Sequence, residues 1–236
     1  MIRKLKLDLH VHSYFSADSV ADPEEIIAVA KRKGLNGIAI TDHNTSECVD
    51  YFLQKGLMRS DGLPVDDFLI VPGQEITTSE GHLLALGVTL PNNLKGITPQ
   101  EAIQLIHSNG GLAVPPHPYD LFRAGIRENI LEKLEFDALE VFNAATTFKC
   151  YNRRAFDYAK KRELPMTAAS DAHHPEAVGT AYGTYETVDF SLAGILQAIK
   201  QASELNQTYL TAREAFKKTW SNWIRLKRRP KPLVRA

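Results

Sequence analysis

The sequence predicts an α/β protein, a barrel of strands and helices before an open doubly wound sheet, closed by a basic helix at the C-terminal end. Short apolar runs alternate with helix-like stretches along the chain, the order expected where a sheet is layered with helices. Several runs are apolar almost throughout, as strands buried on both faces of a parallel sheet are. No Gly-x-Gly-x-x-Gly or Walker-type loop is present. That absence weakens the open nucleotide-binding sheet and leaves the barrel as the first choice.

The elements follow in order. Leu5–Val11 (LKLDLHV) reads as the first strand. Asp22-Pro23-Glu24-Glu25 then gives a helix start, with a capping acid and a proline in the first turn. Gly34 stops that helix, and Gly37–Thr41 is the second strand. Gly56 ends the next helix, and Phe68–Gly73 and His82–Val88 are the third and fourth strands. Thr98-Pro99-Gln100-Glu101 repeats the helix start, with its stop at Gly110-Gly111. Leu112–Pro116, Ala138–Phe142 and Pro165–Ser170 complete the strands. A third capping box, Thr211-Ala212-Arg213-Glu214, opens a tail helix. Residues 1–210 are therefore read as the barrel and residues 211–236 as a basic helix and tail, packed on the barrel or at an interface.

Composition bounds the function. The chain of 236 residues is 44% hydrophobic and 24% charged, ordinary for a soluble globular protein able to bury a core without disulfides. No apolar run reaches the length of a membrane span, and no apolar run follows the basic residues of the N-terminus. Two cysteines, Cys48 and Cys150, make no disulfide framework. A cytoplasmic location is expected. The net charge of zero conceals a division: residues 213–236 hold nine Lys/Arg and one acid, while residues 1–212 hold 19 basic and 27 acidic side chains. A basic tail suits an anionic partner or docks on the acidic body.

The histidines and acids sit beside strand ends. His10 and His12 are two apart on a strand, so both imidazoles face one side and reach one ion. Asp18 follows in the next loop. His43, next to Asp42, ends the second strand, and Glu75 the third. His82 opens the fourth, His117 follows the fifth, and Asp171 and His173 follow the last interior strand. Where parallel strands share one C-terminal face, such groups converge. Imidazole with carboxylate and no thiolate suits Zn, Mn or Fe. Nine such groups exceed one tetrahedral site and point to two or three divalent ions with a bridging carboxylate. Paired ions activate water and stabilise both oxygens of an in-line displacement at phosphorus, so no Ser or Cys nucleophile is required.

The segments DLHVHS, TDHN, GQE…GH…LG, PHP and SDAH occur in the order found in the PHP (polymerase and histidinol phosphatase) superfamily, and the chain resembles it from about Leu5 to Gly183. The resemblance implies a distorted (β/α)7 barrel with a multinuclear metal centre that hydrolyses phosphate esters. It implies that His10, His12, Glu75 and Asp171 hold one metal. Glu75 bridges to a second held by His82 and His117. Asp18, His43 and His173 hold a third, Asp18 standing where some members have His. Asp8 and Asp42 are expected to orient neighbouring imidazoles. His107 is the rival of His82, since some relatives place this ligand further from the Glu. It lies near a helix C-terminus, however, where a cationic imidazole is favourable.

Asp171, His173 and His43 are the candidates for catalytic proton transfer. Arg123, six residues past His117, and Asn143, at a strand end, are candidates for the substrate phosphate. Arg153 and Arg154 are expected to face solvent and His174 to line the mouth. The leading expectation is a phosphoesterase acting on a phosphorylated small molecule or nucleotide. The alternatives are a phosphodiesterase or exonuclease that holds nucleic acid through the basic tail and its Trp220 and Trp223, and a non-catalytic metal-binding scaffold. Apolar Ala215, Phe216, Trp220, Trp223 and Ile224 recur at helical spacing in that tail, and Pro230 and Pro232 disfavour helix beyond it.

Overall fold

The computed structural model describes residues 1–201 and 203–211. The expected tail helix, with Trp220, Trp223 and the basic run from Arg213, lies outside the described residues. Nine strands and six α-helices alternate along the rest, among the described residues: β1 (Arg3–Val11), α1 (Pro23–Arg32), β2 (Gly37–Ile40), α2 (Glu47–Gln54), β3 (Leu69–Thr78), β4 (Gly81–Leu86), α3 (Pro99–Ser108), β5 (Leu112–Val114), α4 (Glu128–Leu131), β6 (Leu139–Asn143), α5 (Lys149–Lys161), β7 (Met166–Ala169), β8 (Tyr182–Thr187), α6 (Leu192–Ile199) and β9 (Glu204–Asn206). No helix among them is long and apolar enough to cross a membrane.

The α/β class is as expected, but the largely parallel sheet is not. Seven strands form one mixed sheet in the order β5-β4-β3-β2-β1-β8-β9, and β6 and β7 form a separate parallel pair. Only β1–β2, β2–β3 and β6–β7 are parallel; β3–β4, β4–β5, β1–β8 and β8–β9 are antiparallel. Among the described residues the ladders close no barrel. Single contacts join the two sheets instead: Asp137 N–H donates to Ala113 O (2.9 Å), Glu140 N–H to Pro115 O (3.2 Å) and His12 N–H to Ala172 O (2.9 Å). The physical reason for the departure is local. Two residues, Ser79 and Glu80, connect β3 to β4, enough for a hairpin and far too few for a crossover helix.

Helix starts behave as the sequence suggests. Asp22 accepts hydrogen bonds from the amides of Glu24 and Glu25, and Thr98 and Glu101 form a reciprocal capping box. Such a cap contributes about 0.5–2 kcal/mol. Apolar faces of α1 and α2 pack with Val11, Ile38, Ile40 and Ile70 on one side of the main sheet. Leu5, Leu7, Leu69, Val71, Leu84, Leu86 and Val114 pack with Ile195 and Ile199 of α6 on the other.

Two ladder slips aim polar groups inward. Between Asp8 and Val11, β1 has one residue more than β2 has between Ile38 and Ile40. Leu5 and Leu7 therefore join the α6-side cluster, while Val11, of the same parity, packs against the α1 side. His10 and His12, which alternate with Val11, thereby face away from α1. A second slip between Glu140 and Phe142 of β6 brings Glu140 and Asn143, three residues apart, to hydrogen-bonding distance at 2.7 Å. Such bulges re-aim side chains beside functional sites.

Candidate metal centre

The nine acids and imidazoles spread from His10 to His173 meet in one place. Their ligand atoms form four overlapping groups, each within 4.8 Å: His12, Asp18, His43 and His173; His10, Glu75 and His117; His10, His12 and Asp171; and His43, Glu75 and His82. Glu75 is the centre. Its Oε2 lies 3.2 Å from His10 Nε2, 3.2 Å from His12 Nε2 and 3.3 Å from His43 Nδ1. Its Oε1 lies 2.7 Å from His82 Nδ1 and 3.2 Å from His117 Nε2. The groups differ from the expected division: His12 also joins Asp18, and His82 groups with His43 rather than with His117.

The hairpin explains how His82 arrives. β4 runs antiparallel to β3, so its first residues lie at the end of β3. His82 pairs with Thr77, and Glu75, two residues before Thr77, shares that face. The turn needs glycine at position 81. Its φ is +134°, and a Cβ there would lie 2.6 Å from Ala124 O, against the loop that carries Arg123. His107, in contrast, lies in the last turn of α3 and bonds Asp137 at 2.8 Å, outside the cluster.

Two ligand candidates have non-glycine positive φ, His117 at 33° and Asp171 at 52°. Such conformations cost about 1–3 kcal/mol each and collect at functional sites.

The electrostatics favour positive charge at the centre. Burial opposes a charge on His10, yet Asp171, Glu75 and Glu140 hold its pKa well above the ordinary imidazole value. Burial likewise opposes His12, but its bonds to Asp171 and Glu75 raise it to about 9. Burial depresses His117 and keeps that imidazole neutral. Burial alone would raise Asp171, but the Arg123 guanidinium and His10 outweigh it and hold the carboxyl well below the usual range. An ionised Asp171 accepts hydrogen bonds and is a poor proton donor.

The donor set fits divalent cations. His10 Nε2 and His12 Nε2 face one another at 3.0 Å, and five imidazoles crowd one carboxylate that can satisfy only some of them as a hydrogen-bond acceptor. Buried Asp18 Oδ1 and His117 Nδ1 have no hydrogen-bond partner.

Asp8 and Asp42, expected to orient neighbouring imidazoles, meet serine hydroxyls and backbone amides directly. Asp8 accepts from Ser170 N–H (3.0 Å), Ser170 Oγ (2.5 Å) and Gly179 N–H (2.8 Å). Asp42 accepts from Ser13 N–H (2.7 Å) and Ser13 Oγ (2.6 Å). Asp8, roughly 7 Å back along β1 from His10, fixes the backbone beside Asp171, and Asp42 fixes the backbone beside His12. The carboxylate behind His10 is Glu140, which the sequence reading missed. Glu140 is buried, its Oε2 2.9 Å from His10 Nδ1, and its Oε1 accepts from His117 N–H (3.1 Å) and Asn143 Nδ2 (2.7 Å). The available signal was an acid inside an otherwise apolar strand, since a buried charge requires partners. Ser16 Oγ lies 3.2 Å from His12 Nδ1.

Arg123 and Asn143 both reach Asp171. Arg123 donates from Nη1 to Asp171 Oδ2 (2.6 Å) and from Nε to Ala145 O (2.9 Å), and Asn143 Nδ2 donates to Asp171 Oδ2 (3.2 Å). Arg154 is exposed and pairs with Glu128, and His174 is buried.

Known proteins resemble this chain in sequence and in fold. The PHP domain family matches residues 8–147, and a PHP-associated family matches residues 150–203. Uncharacterized protein MJ1587 of Methanocaldococcus jannaschii is 37% identical over 175 residues, which cover 70% of this chain and 96% of that protein. A two-domain Bacteroides vulgatus protein containing a predicted PHP-like metal-dependent phosphoesterase superposes with a TM-score of 0.67 at 20% identity, over 94% of this chain and 70% of its own. The lesion-specific endonuclease PfuEndoQ of Pyrococcus furiosus gives a TM-score of 0.65 at 19% identity, over 99% of this chain and 74% of its own. The PHP domain match spans more than half of the chain and takes in seven of the nine clustered acids and imidazoles, and on that ground the chain belongs to the PHP domain family.

Proposed function

We propose that this chain is a metal-dependent phosphoesterase that hydrolyses a phosphate ester of a small metabolite or nucleotide. The observation that carries the reading is the convergence of five imidazoles on the buried carboxylate of Glu75, with Asp18, His173 and Asp171 completing the surrounding groups. His10, His12 and Asp171 would hold one ion, Glu75 with His82 and His117 another, and Asp18, His43 and His173 a third. Bound divalent ions lower the pKa of water to about 7 and offset charge on a phosphoryl group.

The chain's own residues supply the rest. Arg123, fixed by Asp171 and Ala145, stands at the rim with charge for a phosphate oxygen. In the reaction a water oxygen bonds to phosphorus as the bond from phosphorus to the alcohol oxygen breaks, and the leaving oxygen takes a proton. Ionised Asp171 does not supply it. Solvent supplies it on the side of the cluster where His43, 20% exposed, is the most open of the imidazoles. All these residues lie within 1–210, so the basic tail is assigned no chemical role.

Protein purified without chelator should contain divalent metal and release phosphate from simple monoesters, and lose both on chelation. Bound metal with no release from any ester would favour the scaffold. A second reading, cleavage of nucleic acid, draws support from the likeness to endonuclease Q, whose structure has been solved with a 27-mer duplex carrying an abasic lesion at the active site. Turnover of oligonucleotides but not of mononucleotides would favour it.

A further inference from the structure

Beside Arg123 the rim exposes aromatic surface on a rigid mount. Phe122 is 72% exposed and Phe148 53%, and among the described residues Phe156 is the one other large aromatic counted as exposed. The rings of Phe122 and Phe148 meet edge to face with centroids 6.0 Å apart, and Phe148 meets Tyr151 in the same way at 5.8 Å. Holding two phenyl rings in water forgoes the free energy of burying them, so their common placement needs a cause.

The support beneath them is not slack. Asp120 is fully buried, and its carboxylate joins the two rim segments. It accepts from Phe122 N–H (3.1 Å) on one side, and from Thr147 N–H (2.7 Å) and Thr146 Oγ1 (3.1 Å) on the other. Arg123 adds a fourth tie through Ala145 O at 2.9 Å. The same guanidinium reaches Asp171 in the cluster at 2.6 Å. Phe122 therefore stands one residue from a cation that touches a candidate metal ligand, and Phe148 meets Phe122.

We infer that Phe122 and Phe148 form a stacking platform for a nucleobase, so that the ester cleaved is that of a nucleotide. The inference rests on the phosphoesterase reading of the adjoining cluster. A nucleotide joins an anion to a planar ring, matching Arg123 and the cluster at one end and exposed phenyl faces at the other. A sugar phosphate without a base matches only the first. A free nucleotide and the 5′-terminal nucleotide of a strand present the same pair of groups.

The test compares AMP, ribose 5-phosphate and a 5′-phosphorylated tetranucleotide on wild type, Phe122→Ala, Phe148→Ala and Phe122→Trp, in manganese. Both kcat/KM and calorimetric binding are read. The AMP-to-ribose-phosphate ratio should fall roughly 5- to 150-fold in Phe122→Ala, the range for loss of one base–aromatic stack. Phe122→Trp should restore it, and Phe148→Ala should lower it less. Melting temperatures check that removal of exposed rings leaves the fold intact. Equal losses on both esters, or a ratio untouched by Phe122→Ala, would overturn the platform. Phe122-dependent turnover of AMP alone assigns the free nucleotide, and of the tetranucleotide alone the strand terminus; either supports the platform. If wild type hydrolyses none of the three, the phosphoesterase reading fails, and the binding ratio still decides the platform.

Discussion

Changing Glu140 to Gln exchanges one carboxylate oxygen for an amide group while keeping the shape of the side chain. In the native protein a carboxylate oxygen faces His10 Nδ1 at 2.9 Å, so in the neutral, ligating imidazole that nitrogen carries the proton and Nε2 faces Glu75 and His12. The other oxygen accepts from His117 N–H and Asn143 Nδ2. In Glu140→Gln the amide NH2 can face either side. Facing His117 and Asn143 it would meet two donors; facing His10 it meets one. It therefore turns to His10, whose Nδ1 must then accept, and the proton moves to Nε2. A protonated Nε2 cannot ligate. Metal affinity should fall about 10- to 100-fold, the usual consequence of losing the carboxylate behind a ligating imidazole. Loss of a buried charge-assisted bond should cost about 1–3 kcal/mol, at about 2–4 °C of melting temperature for each kcal/mol in a chain of this length. Chelator-competition titration and thermal melts measure the two effects. Glu140→Ala, which strands three donors without an acceptor, should be less stable still. Manganese bound by Glu140→Gln as tightly as by wild type would refute the tautomer argument.

Three further outcomes are expected. His10→Ala and Asp171→Ala should each lower bound metal and nearly abolish phosphate release while remaining soluble; turnover like that of wild type in either would remove that residue from the centre. His82→Ala should lower metal content and His107→Ala should not, because His82 meets Glu75 and His107 meets Asp137; metal analysis of both variants decides it. Asp137 should confer pH-dependent stability: burial would raise its pKa, but the Ala113 amide, His107 and Lys200 hold it below the ordinary value. A depressed folded pKa gives stability present above about pH 4 and lost as pH falls through the folded value. Asp137→Asn should therefore lower the melting temperature at neutral pH and make little difference in strong acid, which melts across that range would show.

Seven strands were legible because each buries an apolar run such as LKLDLHV or FLIVPG. β8 was not, because YGTYET is only half buried and carries no such run, and β9 has three residues, none of them fully buried. Strand direction was hidden for a different reason. Apolar content does not distinguish a parallel neighbour from an antiparallel one, and the informative feature was the length of the Thr78–Gly81 connection. At the site, residue type and position at strand ends pointed to the nine candidates. Their grouping depends on side-chain directions set by two ladder slips, at Asp8–Val11 and Glu140–Phe142. A slip of one residue reverses which parity faces inward, and nothing in DLHVHS or ALEVFN announces one. Asp8 and Asp42 illustrate the cost. Both adjoin imidazoles in sequence, yet both turn to serine hydroxyls and backbone amides.

Glu140 also bears on how a site can be precise where the ladders stop. No ladder joins β5 to β6 or β7 to β1, and the candidate ligands that follow β5 and β7, His117 and Asp171, are the two with strained backbone. Strain of about 1–3 kcal/mol at each persists only where the surroundings over-determine the conformation. One side chain reaches both. Glu140 accepts the amide of His117, and it binds Asn143, which donates to Asp171. Its second oxygen holds His10 on β1. A single buried carboxylate thus couples groups from β1, β6 and the ends of β5 and β7. Side-chain hydrogen bonds take over there the positioning that backbone ladders supply elsewhere. Metal affinity and stability should consequently respond together to changes at Glu140, whereas at Asp137, which holds only the outer edge of the same seam between β5 and β6, stability should change without metal affinity.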